Sequence, residues 1–325
     1  MNLKTKICTI GGGSGMPIIN SSLVAAGFTN INSIVTTFDS GGDTGRMRTD
    51  ERGKILAFSD YWRSLISLWT DGKQKEQWEE MLRFRDGRGR NFGNIFFQFL
   101  AERVGNLSHV DGLFSELTAA RVVGQVIPVS LEPADICFQT ESKRIFKGEH
   151  NLDNLRMSLD KVIKVWLEPE VKANTEAVEA IRKAEVIIFC PGSMYGSVIT
   201  NMLPKGMTEA YHESKAKKIL MTNIMSVANE NNDFSQKDYV RVFGKYLNEK
   251  NPFDLIVMAD ITKLDGLMMR KAKANYSFEH SKPIWIDKTY KDIETIMVDI
   301  AMIEEKNYRF RHSEKKLKNF FIELK

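Results

Sequence analysis

Three times in this chain a short, apolar, β-branched run breaks directly into a glycine-rich loop. Lys6 to Ile10 opens into Gly11-Gly12-Gly13-Ser14-Gly15. Ile31 to Phe38 opens into Asp39-Ser40-Gly41-Gly42-Asp43-Thr44-Gly45, and Glu185 to Cys190 into Pro191-Gly192-Ser193-Met194-Tyr195-Gly196-Ser197. Apolar runs of this length bounded by glycine read as buried strands. Further strands are expected at Lys161 to Leu167, Lys218 to Asn223 and Leu255 to Met258. Helical spacing predicts helices from Met16 to about Ala26, Lys54 to Trp69, Lys75 to Arg85, Asn94 to Val104, Gly112 to Ala120, Thr175 to Ala184 and Lys237 to Asn248. A last amphipathic helix is marked by Leu317, Phe320, Phe321 and Leu324. Strands alternating with helices predict an α/β fold whose mostly parallel sheet carries helices on both faces. Arg121 to Ser130 and Ile136 to Phe146 read as strands or a hairpin. The stretch 121–167 is therefore more β-rich, an insertion or lid within one domain spanning 1–325.

Composition narrows the function. Of 325 residues, 42% are hydrophobic and 27% charged, so a buried core is affordable without metal or disulfide staples. Lys and Arg number 46 against 42 Asp and Glu, a net charge of +4. The densest basic runs, Arg83 to Arg90 and Lys315 to Lys318, read as a solvated loop and helix face, and no nucleic-acid partner is expected. Cys8, Cys137 and Cys190 are far apart and form no CxxC pair. Buried, reduced thiols follow, which favours a cytoplasmic protein. No apolar run reaches a membrane span, and the first residues, MNLKTKICTIGGGSG, read as a strand and not as a signal peptide.

Ligands of open α/β sheets bind at the carboxyl ends of the strands. A glycine loop there brings backbone N–H groups close to a ligand, and a helix start just beyond adds a positive dipole end. Three such loops on one edge suit a phosphoester, with Arg46 and Arg48 as cationic partners. The dinucleotide fingerprint G-x-G-x-x-G fails at its sixth place, Met16, and no G-x-x-x-x-G-K-[ST] or G-x-S-x-G occurs. Asp39, at the end of the second strand, stands open between a ribose-binding acid and a metal ligand. His109, His150 and His280 read as ordinary loop or surface residues.

In this order the loops resemble one family, the CofD/YvcK group. It holds the 2-phospho-L-lactate transferases and the YvcK-type gluconeogenesis factors. The latter read GGGTG, TVADDGGSSGRLR, PPGDIRN, GHSLGN, GPGSLYTS, NVMTQ and a late RHD. Here stand GGGSG from Gly11, TTFDSGGDTGRMR from Thr36, GRNFGN from Gly89, CPGSMYGS from Cys190, TNIMS from Thr222 and RHSEKKL from Arg311. The GGxxGRxR loop favours the YvcK branch.

The resemblance implies a Rossmann-like fold and a UDP-sugar ligand of the UDP-N-acetylglucosamine type. It implies regulation of central carbon metabolism and of cell-wall or cell-shape homeostasis, without established catalysis or a required cofactor. By the same resemblance Gly11, Gly12, Gly13, Ser14, Gly15, Asp39, Gly41, Gly42 and Arg46 would bind the ligand. Asn91, Asn94, Gly192, Ser193, Tyr195, Asn223, Tyr276 and Arg311 complete the set. Asp39 with Asp60 is the candidate Mg²⁺ pair, although Ser40 replaces one family carboxylate, AFSDYWRS replaces PPGDIRN and Arg90 replaces a histidine. The alternative is a transferase-like phosphotransferase using a nucleotide-diphosphate substrate and Mg²⁺. A third reading, an NAD(P)-dependent oxidoreductase, rests on Asp39 alone. A homo-oligomer and an unidentified protein partner are both compatible with these readings.

Overall fold

A computed structural model of the protein describes residues 2–51, 55–70, 72–264 and 266–324. Its frame is a seven-stranded sheet in which every pairing is parallel. The strands are β1 (Ile7–Gly11), β2 (Ile31–Val35), β3 (Gln125–Pro128), β7 (Val186–Phe189), β8 (Lys217–Met221), β9 (Leu255–Ala259) and β10 (Glu294–Val298). Spatially they run β10-β9-β8-β7-β1-β2-β3. Between β3 and β7 the chain builds a separate antiparallel sheet from β4 (Asp135–Thr140), β5 (Ile145–Lys147) and β6 (Val162–Glu168), in the order β5-β4-β6. A hairpin of β11 (Ala301–Glu304) and β12 (Arg309–His312) follows β10.

The central strands are buried along their whole length because both faces of the sheet are covered. Along β1 the side chains alternate between two cores. Cys8 and Ile10 join one with Phe189, Ile181, Tyr211 and Phe243, and Ile7 joins the other with Leu23, Trp69, Phe97 and Phe321. Helices from the second half of the chain cover the first face. The other is covered by α1 (Gly15–Ala25), α3 (Ser59–Ser67), α5 (Phe92–Val104) and the closing helix Glu314–Glu323, with α4 (Lys73–Arg83) packed against α5. Cys8, Cys137 and Cys190 are free and buried. Among the described residues no helix is long and apolar enough to cross a membrane.

The sequence reading and the structure part at a few places. The second glycine loop is short, since Gly42–Asp50 already forms a helix, α2. The helix expected from Lys54 begins at Ser59, and Lys54 itself lies outside the described residues. The expected strand after Arg121 leaves the β-rich stretch and pairs with β2 in the main sheet. The helix Gly266–Phe278, the edge strand β10 and the β11–β12 hairpin were not expected.

Candidate functional site

Leaving β1 the chain winds outward through β2 and β3, then returns to β1's other side and winds away through β7, β8, β9 and β10. The strand order therefore reverses between β1 and β7, and a crevice opens at their carboxyl ends, the usual ligand position in such sheets. The loops Gly11 to Gly15 and Pro191 to Ser197 meet there. They approach so closely that a Cβ on Gly15 would lie 2.1 Å from the Pro191 carbonyl oxygen. Gly13 holds the left-handed turn at φ +63°. α1 starts immediately beyond, with no side chain capping its first N–H groups. An anion at this point meets open amides and the positive end of a helix of 11 residues.

Two cavities flank these loops and share Ser14, Arg156, Gly192, Asn223 and Val227 along their seam. The first has a volume of 530 Å³ and is walled by Gly13, Asp39, Gly41, Gly42, Asp60, Asn91, Asn94 and Ser193. The second, 410 Å³, is reached past Gly15 and holds Met225, Tyr276, Arg309, Phe310 and Arg311. Gly11 and Gly12 are buried behind the walls. Two expected ligand residues point elsewhere. The Arg46 guanidinium donates to the carbonyls of Arg88 and Gly89, each at 2.8 Å, and faces a neighbouring depression. Tyr195 is turned into the core, its ring 6.4 Å from that of Tyr246. The Arg48 guanidinium is buried too, donating to the Ala134 carbonyl and pairing with Asp135.

The first cavity is acidic. Asp39, Asp43, Asp60, Glu149, Asp153 and Glu230 line it beside Arg63, Arg85 and Arg156, and Asp43 also pairs with Arg46 at 3.5 Å and Arg90 at 3.9 Å. Glu149, Asp153 and Arg156 come from the helix His150–Asn154 and its flanks, between β5 and β6, so the β-rich stretch forms one wall. Burial, reinforced by the Asp39 charge, pushes Asp60 up to about 6, against the opposing pull of Arg63 and the Gly13 amide. Glu149 is raised far above the carboxylate range by burial and by Asp39 and Asp153. Burial likewise raises Asp153 and Glu230. Glu149 therefore holds its proton at neutrality and can donate as well as accept a hydrogen bond.

Asp39 spends both oxygens locally, one on the Gly41 amide at 2.7 Å and one on the Ser59 hydroxyl at 2.8 Å. Asn91 caps α5 and anchors to the Leu82 carbonyl, while Asn94 links Trp62 to Asp43. These residues hold the wall's shape. Ser40, standing where the family has a second Asp, hydrogen-bonds His150 at 3.0 Å. Among the described residues no three His, Cys, Asp or Glu side chains converge as a metal cage. Asp39 and Asp60, the expected pair, both line this cavity.

A raised carboxyl pKa favours folding below the unfolded value, near 4, and that advantage is lost as pH rises through the folded value. The sign gives a test. Asp60→Asn removes the cost of ionising a buried acid, so at pH 7.5 it is expected to stabilise the protein, by up to about 3 kcal/mol. At pH 4 the two proteins are expected to unfold alike in urea. Equal gains at both pH values would show that Asp60 ionises freely.

The second cavity differs in character. Tyr276 and Phe310 stack with ring centres 5.4 Å apart, and the Arg309 guanidinium lies 4.9 Å over the Tyr276 ring. Arg309 is held there by Glu279. Arg311 is half-exposed at the rim, 3.5 Å from Glu304. Burial lowers His312 to about 4, so this ring is neutral. Aromatic, apolar and guanidinium groups together suit a planar heterocycle with an anionic attachment.

A seven-stranded parallel sheet with glycine loops meeting at its switch point defines an α/β protein of the Rossmann-like kind. The family model described as 2-phospho-L-lactate transferase CofD matches residues 7–304, and the chain belongs to that family. Relatives include the gluconeogenesis factor of Listeria monocytogenes, 29% identical over 89% of this chain and 88% of that protein. The gluconeogenesis factor of Halalkalibacterium halodurans is 26% identical over 99% and 97%. The crystal structure of protein BH3568 from Bacillus halodurans superposes with a TM-score of 0.85 at 25% identity, covering 98% of this chain and 99% of that one.

Proposed function

We propose that the protein is a non-catalytic binder of a UDP-sugar, of the UDP-N-acetylglucosamine type, which regulates central carbon metabolism and cell-wall or cell-shape homeostasis. The observation that carries this reading is the pair of unlike cavities joined at the glycine loops. A diphosphate belongs at the seam, on the amides around Gly13 to Gly15 and Gly192. The base belongs beside Tyr276 and Arg311. The sugar belongs in the acidic cavity, where carboxyl groups of either protonation state match hydroxyl and amide groups. The names of the relatives support the regulatory role.

Titration calorimetry tests the assignment. UDP-N-acetylglucosamine is expected to bind equally well with Mg²⁺ and with EDTA, because amides and guanidinium groups neutralise the diphosphate. Arg311→Ala is expected to weaken it by about 1.5–3 kcal/mol, as for a charge-assisted hydrogen bond. Binding that needs Mg²⁺, or that ignores Arg311, contradicts the reading.

The family model's description favours a second reading, a phosphotransferase acting on a nucleotide-diphosphate substrate with Mg²⁺. Chromatography of the nucleotides after incubation with Mg²⁺ and phospho-acceptors separates the two. Turnover that disappears in Asp60→Asn would establish the transferase.

A further inference from the structure

The rings lining the second cavity are closed in. Tyr276 is 7% exposed, Phe310 4% and His312 8%. Tyr276 and Phe310 stack on each other within a small core that also holds Ile224, Ala272 and Ile303. The Tyr276 oxygen accepts the Phe310 amide at 3.1 Å, which fixes the ring in place. The larger planes still open to a ligand are the guanidinium groups of Arg156, Arg309 and Arg311. They are held differently. Arg156 and Arg311 are half-exposed, and each reaches a carboxylate through one nitrogen, Glu279 at 3.4 Å and Glu304 at 3.5 Å. Arg309 is 25% exposed and directs both terminal nitrogens at the two oxygens of Glu279, one of them at 2.7 Å. Its central carbon lies 4.9 Å over the Tyr276 ring centre. A fork of this kind fixes the plane of a guanidinium as well as its position, and such a plane stacks well on a flat π system. Arg309 is therefore a pre-set plate on a packed aromatic floor, its charge offset by the carboxylate that holds it.

We infer that Arg309 is the specificity-determining residue of the second cavity, the plane on which the base of the nucleotide stacks, with Glu279 as the positioning residue that sets that plane. The inference rests on the placement of the base proposed above. Tyr276 and Phe310 act through Arg309, since neither has an open face of its own. Arg311 at the rim keeps its nitrogens for hydrogen bonds to the ligand. The cavity thus selects for a flat, unsaturated ring, a preference that charge alone does not supply.

Calorimetry with UDP and with 5,6-dihydro-UDP tests it on the full chain. The dihydro ring keeps both carbonyls and the N3–H of uracil but loses its flat π system. The parent is expected to bind UDP at least about tenfold more tightly than the dihydro analogue, the scale of stacking one base. Arg309→Lys keeps the charge and loses the plane. It is expected to bind UDP at least about tenfold more weakly than the parent, and to prefer it over the analogue by less than about threefold. Glu279→Gln, which loosens the fork, is expected to give a preference between the two. A merely structural role for Arg309 would weaken both ligands alike and leave the preference intact. If the parent binds no UDP, the placement of the base falls and this inference with it. If the parent binds UDP and needs Arg311 to do so, a parent without the preference, or an Arg309→Lys protein that keeps it, overturns this inference alone.

Discussion

Gly15→Ala is expected to lower UDP-sugar affinity at least about a hundredfold and to cost about 2–3 kcal/mol of stability, the range of an overpacked core. The added Cβ would sit 2.1 Å from the Pro191 carbonyl oxygen and 3.2 Å from its Cβ. The obstacle is backbone, which cannot swing aside like a long side chain. The loops after β1 and β7 must separate, and every amide at the seam of the two cavities moves with them. Gly13→Ala is the informative contrast. Its Cβ would meet only the Ser197 hydroxyl, at 3.8 Å, but its φ of +63° would be strained. That variant is expected to lose about 1 kcal/mol and to bind more weakly than the parent but better than Gly15→Ala. Equilibrium urea unfolding and calorimetry on both variants check the order. A Gly15→Ala protein that binds like the parent would mean that ligand does not sit between these loops.

Glu230→Ala is expected to destabilise the protein by about 2–3 kcal/mol, the cost of stranding buried donors, and to weaken ligand binding more than tenfold. The Glu230 carboxylate is buried and accepts from the Ser193 hydroxyl at 2.9 Å and the Tyr195 amide at 3.1 Å. It holds the third glycine loop in its turn, while Ser193 in turn accepts from the Gly196 amide. Glu230→Gln keeps an acceptor oxygen and is expected to recover most of the stability. If alanine and glutamine melt alike, the loop keeps its shape without this acceptor. If binding is unchanged in a destabilised Glu230→Ala protein, the loop is not part of the ligand site.

The parallel core was legible in the sequence because its strands are largely buried, so β1, β7 and β9 are near-continuous apolar runs and β2 and β8 end in apolar ones. β10 escaped notice because it is an edge strand whose residues remain partly exposed. α2 was hidden by its own glycines, which argue against a helix. That helix decides two residues of the site. In its first turn Asp43 lines the cavity, while Arg46, one turn on, reaches the Arg88 and Gly89 carbonyls and lies 3.5 Å from Asp43. A loop reading leaves that direction undefined. The tight helical turn Met194–Val198 likewise rolls Tyr195 inward. Glu149, Asp153, Arg156 and Glu230 carried no linear signal at all. They sit in ordinary polar stretches, and only the return of the β4–β6 sheet over the switch point and the packing of 228–231 beneath the third loop bring them to the cleft.

The wall supplied by residues 149–156 has a consequence for how binding preference can change within this architecture. On the proposed function, the amides that would meet the diphosphate belong to the frame and cannot vary without disturbing the packing of β1 against β7. Glu149, Asp153 and Arg156, which would face the sugar, hang from a small antiparallel sheet outside that frame. Exchanging that sheet between related proteins would carry sugar selectivity from one to another and leave the grip on the diphosphate untouched.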